Sequence, residues 1–144
     1  MEKLLNINND RKLIDLKLVH SWITESYWAK GIPFEVFERS VENSLPFGVY
    51  LSGKCIGFAR IVSDFATFAY LGDVFIVQEH RGQGYSKKLM EEIMNHPKLQ
   101  GLRRICLGTW DAHDLYRQFG FEVIEEPERW MEIRNKNPYN TENE

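Results

Sequence analysis

Between the apolar run Val74-Phe75-Ile76-Val77 and a segment in which Tyr85, Leu89 and Ile93 recur every four residues stands Arg81-Gly82-Gln83-Gly84-Tyr85-Ser86. An unbroken apolar run and a helical period cannot belong to one element, so the chain must pass from strand to helix through a glycine turn. The first N–H groups of such a helix have no partner within it and sit at the positive end of its dipole. The turn is thus a seat for a phosphate or pyrophosphate. Gly82 and Gly84 let the backbone turn tightly and approach a ligand, while Arg81, Lys87 and Lys88 add positive charge. The expected ligand is a phosphorylated cofactor. The bland alternative is an ordinary turn beside a solvated helix face. Neither the Lys-Ser/Thr ending of a P-loop nor the third glycine of a dinucleotide fingerprint is present, which demotes nucleotide hydrolysis and nicotinamide binding.

A second segment narrows the reading. After Ile105-Cys106-Leu107 comes Thr109-Trp110-Asp111-Ala112-His113-Asp114-Leu115-Tyr116-Arg117-Gln118-Phe119-Gly120-Phe121. This reads as a short helix from Ala112 that Asp111 can cap, with Ala112, Leu115, Tyr116 and Phe119 on one face and Gly120 as the left-handed stop. Taken together, Arg81-x-x-Gly84-x-Ser86 and Ala112-x-x-Leu115-Tyr116-x-x-x-Gly120-Phe121 resemble the two signatures of the GNAT superfamily of N-acetyltransferases. Ser86 stands where that family has glycine or alanine; it is small, and its hydroxyl adds a hydrogen-bonding group. The resemblance is clear from roughly Phe47 to Ile133 and continues into the N-terminal third only through the order of elements.

The resemblance implies a single α/β domain over residues 1–134, with a mixed, mostly antiparallel sheet and about four flanking helices. It implies acetyl-coenzyme A as acyl donor, no metal, and transfer of an acetyl group to a primary amine by direct attack. In that family the fourth and fifth strands splay apart and the pantetheine arm pairs with the fourth, which would assign backbone contacts to Phe75, Ile76 and Val77. Arg81, Gly82, Gln83, Gly84, Tyr85, Ser86 and Lys87 would hold the pyrophosphate region, with Thr109, Asp111 and Tyr116 as further coenzyme contacts. Tyr116 matches the tyrosine the family uses as general acid for the departing thiolate; as a residue of an apolar stripe it also reads as packing. Two other readings stay open: a sensor of the same fold that binds acyl-coenzyme A without transfer, and an enzyme using a longer acyl group.

The residues suggest a base less firmly. Asp73, on a strand with Leu71, Phe75 and Val77, would be a partly desolvated carboxylate able to accept a proton directly or through water. Equally, Arg60 on the preceding strand can pair with it, and Gly72-Asp73 can mark a bulge. His113 reads as a surface or capping residue, and Cys55 and Cys106 as core thiols, since nothing nearby activates a nucleophile. The acceptor pocket is expected among Trp22, Tyr27, Trp28, Phe34 and Trp130, with Trp28, Asp73 and Trp130 as substrate contacts. Glu25, Asp64 and Asp73 would favour a cationic amine, either a small molecule or a peptide.

A net charge of −3 argues against nucleic acid, which clustered positive charge holds. No apolar run is long enough for a membrane span and no secretory signal is evident around Glu2, so the cytoplasm is the default location; a homodimer is left open. Along the chain we expect a strand at Leu4–Ile7, then a helix capped by Asp15 carrying Leu16, Val19, Ile23 and Tyr27 and ended by Gly31. A second helix after Pro33 carries Phe34, Phe37, Val41 and Leu45. Strands at Phe47–Leu51, Cys55–Ser63 and Ala69–Val77 follow, joined by a Ser52-Gly53 turn and a loop near Asp64. The glycine-turn helix ends near Pro97, a strand covers Arg104–Gly108, and the short helix leads to strands near Phe121 and Trp130. The polar tail 135–144 is expected to be disordered.

Overall fold

A computed structural model describes residues 4–139 of the chain. Leu5–Asn8 (β1), Leu45–Leu51 (β2), Lys54–Ser63 (β3) and Phe68–Ile76 (β4) form successive antiparallel pairs, and Arg104–Cys106 (β5) joins parallel to β4. The five-stranded sheet therefore runs in the order β1-β2-β3-β4-β5. Ser52 and Gly53, with φ of 50° and 86°, form the left-handed pair that a two-residue hairpin between β2 and β3 requires.

Among the described residues four α-helices accompany the sheet: Leu16–Ile23 (α1), Phe34–Glu42 (α2), Tyr85–Met94 (α3) and His113–Arg117 (α4). Val19 and Ile23 of α1 and Phe37 and Val41 of α2 pack with Phe58 in one core cluster. Leu89, Met90 and Ile93 of α3 pack with Ala59, Ile61, Ala69, Leu71 and Ile76 in another, so the sheet is buried on both faces. Neighbours on β3 thus serve different clusters, Phe58 one and Ala59 the other, as period-two alternation demands.

Several boundaries differ from the sequence expectation. Asp15 does cap α1, accepting from Leu18 N–H at 3.1 Å, but the helix stops at Ile23 and never reaches Tyr27. Ser26 explains this: its Oγ donates to Ile23 O and accepts from Ala29 N–H, offering the backbone a local alternative to helix. Leu45 opens β2 and does not extend α2, which ends at Glu42. The cap of α4 is Ala112 rather than Asp111, and Thr109 Oγ1 receives the Ala112 N–H. Gly120 does stop that helix, at φ 94°. No strand forms near Phe121 or Trp130 among the described residues. Of the tail expected to be disordered, Tyr139 packs against the α1/α2 cluster, and residues 140–144 lie outside the described residues.

Candidate active site

The site begins where β4 and β5 part. Their ladder covers only Phe68↔Arg104, Ala69↔Ile105 and Tyr70↔Cys106, whereas β4 continues to Ile76. From Leu71 onward no strand pairs with that edge of β4 among the described residues. Backbone groups alternate between the two edges of a strand, so it matters which ones face the gap. Val77 N–H donates to Ile56 O on β3, and Val77 O accepts from His80 N–H, so both groups are committed within the protein. Phe75 O also faces β3, lying 2.8 Å from where a Cβ on Gly57 would stand. The open edge is left to Val74 and Ile76. Of the expected Phe75–Val77 backbone contacts, the Ile76 N–H is the group left to make them, because Ile76 O accepts from Arg81 Nε.

Beyond Ile76 the chain turns through 78–80 and enters α3 at the glycine turn. Gly82 and Gly84 have φ of 76° and 87°, and a Cβ on either would meet nothing within 4 Å, so the cradle is open. The cap of α3 is Gly84, which brings no side chain, and the first helical bond runs from Lys88 N–H to Gly84 O. The N–H groups of Tyr85, Ser86 and Lys87 therefore stand free of the helix ladder at its positive end. Arg81 does not hang loose: Nε donates to Ile76 O at 2.7 Å and its guanidinium lies 5.1 Å from the Phe75 ring centroid.

Tyr116 stands on α4, the helix that follows β5. It is buried among the residues that pack on α3, with its ring edge-on to Phe121. Burial, then the neighbouring Tyr27 and Asp111, pushes its phenol above the usual tyrosine range, so it stays protonated through neutral pH. Tyr27 itself stacks on Trp110, with centroids 3.9 Å apart and planes 11° apart. The Tyr27 hydroxyl accepts from Trp110 N–H at 3.3 Å, and Trp28 meets the Tyr27 ring edge-on.

Trp28 reaches β4 itself: its Nε1 donates to Asp73 Oδ1 at 2.8 Å. Arg60 Nε binds the other carboxylate oxygen at 2.6 Å, and Arg60 Nη1 donates to Ser44 Oγ at 3.0 Å. The pairing of Asp73 and Arg60 anticipated from sequence is therefore present, and so is the bulge. Asp73 has φ 54° and the β3–β4 register shifts between Phe58 and Arg60. The bulge also breaks the alternation on which Asp73 was expected to share a face with Leu71 and Phe75. Leu71 packs in the α3 cluster and Phe75 beside the α1/α2 cluster.

The other expected pocket residues scatter. Trp22 stacks on Phe75 and Phe34 lies against His20, both as packing. Trp130 lies over the Arg104 guanidinium, 4.5 Å away at the start of β5, without contact to Trp28 or Asp73. Asp64 organises its own loop: its carboxylate accepts from the N–H groups of Ala66, Thr67 and Phe68 and from Thr67 Oγ1, with the Thr67 hydroxyl foremost in lowering its pKa. Glu25 is exposed, 3.4 Å from Lys30. Trp110 was not singled out from sequence; its signal was a large aromatic in a loop entering a helix, 74% exposed and yet stacked. No helix among the described residues is long and apolar enough to cross a membrane.

Comparison with known proteins follows the same lines. The family model described as acetyltransferase (GNAT) family matches residues 3–121. A crystal structure from Xanthomonas campestris pv. campestris, assigned to the GNAT family, superposes with a TM-score of 0.92 at 46% identity, covering 96% of this chain and 98% of that one. A Gibberella zeae protein named as an acetyltransferase is 27% identical over 133 residues, 76% of this chain and 74% of its own length. A Clostridium acetobutylicum structure with acetyl-CoA shares the fold at TM-score 0.65 and 17% identity, over 92% of this chain and 96% of that one.

Proposed function

The chain belongs to the acetyltransferase (GNAT) family, and from that premise we propose that it is an N-acetyltransferase that moves an acetyl group from acetyl-coenzyme A to a primary amine. The observation that carries this is the unpaired edge of β4, Leu71 to Ile76, leading straight into an open, uncapped helix start. An extended amide-bearing arm is the natural partner of such an edge, and a pyrophosphate of such a helix start. Both are parts of coenzyme A, and the residues present fit it.

When bound, the coenzyme supplies an acetyl thioester; the rest falls to the protein. The Val74 main-chain groups and the Ile76 N–H serve the arm, and their N–H groups serve oxyanion charge. Tyr85, Ser86 and Lys87 N–H groups, with the Arg81 and Lys87 charges, hold the phosphates. Tyr116 Oη, protonated because it is buried, gives its proton to the departing sulfur. Tyr27, Trp28 and Trp110 form the aromatic wall of the acceptor side, where an ammonium is attracted to ring faces and to the Asp73 carboxylate behind them. Both Asp73 oxygens are engaged, by Trp28 and Arg60, so Asp73 positions the bulge and the Trp28 ring and is not assigned the role of base.

The test is release of free thiol from acetyl-coenzyme A across a panel of amines, with mass-spectrometric detection of the acetylated product. Acceptor-dependent release is expected. Calorimetric binding of the coenzyme with no release for any amine would favour the sensor reading instead.

A further inference from the structure

The Arg81 side chain turns back along β4 instead of reaching out from the glycine turn. Ile76 is buried, and its carbonyl lies on the edge of β4 that no strand pairs with among the described residues, so it needs a donor. Arg81 Nε supplies one at 2.7 Å. The two Nη groups are left without a hydrogen-bond partner or a carboxylate among the described residues. A guanidinium fixed at one corner with its fork free, one position ahead of Gly82, is a receptor for a phosphate or carboxylate.

One hydrogen bond does not orient a planar group, which can still swing about the Nε contact. A second hold comes from outside the turn. The guanidinium lies over the Phe75 ring, 5.1 Å from its centroid, and the Trp22 ring of α1 stacks on Phe75 at 5.3 Å with planes 13° apart. Both rings are partly buried against the α1/α2 cluster, so the ring beneath Arg81 is itself held by packing. Its negative face attracts the cation. Any apolar pair at positions 22 and 75 would fill the space, but only an aromatic ring offers Arg81 such a face. Trp22, Phe75 and Arg81 thus form a continuous stack from the first helix to the start of the glycine turn. A loose arginine loses rotamer freedom when it closes on an anion, and one already held loses less, so the stack favours binding without contact to the ligand.

We propose that Phe75 and Trp22 are positioning residues for the coenzyme, acting through Arg81: their stack aims the free Nη edge of the guanidinium at the phosphates that the turn receives. The proposal rests on the coenzyme A site argued above and adds to it two residues that lie outside the glycine turn. Phe75 then serves the coenzyme with its side chain, in place of the backbone contact expected of it from the sequence. Trp22, expected in the acceptor pocket, serves the coenzyme instead.

Coenzyme A binding is measured by calorimetry on the full-length protein, on Phe75→Leu, on Arg81→Gln and on the double variant. Phe75→Leu keeps an apolar side chain and loses the ring face, and should weaken binding by about 5-fold. Arg81→Gln should weaken it by about 10–100-fold. The double variant should match Arg81→Gln within about twofold, because the ring acts only through the guanidinium. Losses that multiply, or a Phe75→Leu affinity equal to wild type, overturn the proposal. Phe75→Tyr keeps the ring and should bind as wild type does; a loss equal to that of Phe75→Leu overturns the role of the ring face. Heteronuclear NMR of the arginine side chains gives a reading that packing alone would not move. The Arg81 Nε–H resonance, identified by its loss in Arg81→Gln, should shift when coenzyme A is added. A resonance indifferent to saturating coenzyme A overturns the proposal even if Phe75→Leu does not fold. A wild type that binds no coenzyme A removes the coenzyme site itself, and the proposal with it, whereas binding with independent losses removes the stack alone.

Discussion

Asp73→Asn separates the two roles this carboxylate could have. The substitution keeps the shape, and asparagine tolerates the left-handed φ of 54° as well as aspartate does, so the bulge itself is not penalised. What is lost is the charge opposite Arg60, whose side chain is only 20% exposed. Removing one partner of a buried pair costs about 3–5 kcal/mol. Arg60 keeps some solvent and its bond to Ser44, which puts the expectation at the lower end, about 3 kcal/mol. Unfolding entropy near 2.1 cal/mol/K per residue gives roughly 0.3 kcal/mol/K for 144 residues, so Tm should fall by about 10 °C. Calorimetry or circular dichroism reads that directly. At a temperature where the variant is folded, KM for the amine should rise because the single amide oxygen cannot accept from both Trp28 and Arg60, while kcat stays within a few-fold. A Tm within about 2 °C of wild type would refute the structural role. An intact Tm with kcat down by about 10²-fold or more would make Asp73 the base after all.

Three further outcomes are expected. Tyr116→Phe should lower kcat by about 10²–10⁴ with coenzyme affinity by calorimetry nearly unchanged, and wild-type turnover in this variant would remove the assigned proton donor. Gly84→Val must hold a β-branched residue at φ 87°, a strain of about 1–3 kcal/mol, and should abolish coenzyme binding in calorimetry; retained affinity would place the phosphates elsewhere. Tyr50, whose buried hydroxyl has no hydrogen-bond partner among the described residues, has its pKa pushed up to about 12 by burial first and then by Cys55 and Asp10. Its neutral form is the folded one, so stability is intact below pH 10 and falls by roughly 2–3 kcal/mol as pH rises from 10 to 12. Tyr50→Phe should flatten that alkaline loss in denaturant titrations, and an unchanged slope would count against the buried phenol as its source.

Much of the frame was legible because its signals are local. The Ser52-Gly53 hairpin, the Asp15 cap, the glycine turn before α3 and the Gly120 stop each depend on a few adjacent residues and their allowed φ. The same locality explains the misses. The apolar spacing that carried Tyr27 into the first helix says nothing of Ser26 folding back on Ile23, nor of Trp28 being drawn to a carboxylate 45 positions away. The strands expected near Phe121 and Trp130 have the right alternation, yet a strand exists only where another strand accepts its hydrogen bonds, and neither segment is paired among the described residues.

What the order of residues determined by itself, then, was the glycine turn before α3, the short helix carrying Tyr116 and the alternation of strands and helices, since these rest on short-range sterics and periodicity. Only the tertiary structure decided which groups face the gap between β4 and β5, because edge assignment on β4 depends on its register with β3 and on the Asp73 bulge. It alone joined Tyr27, Trp28 and Trp110 into one wall and moved Trp130 out of it, since contacts between distant segments are fixed by packing and not by spacing along the chain.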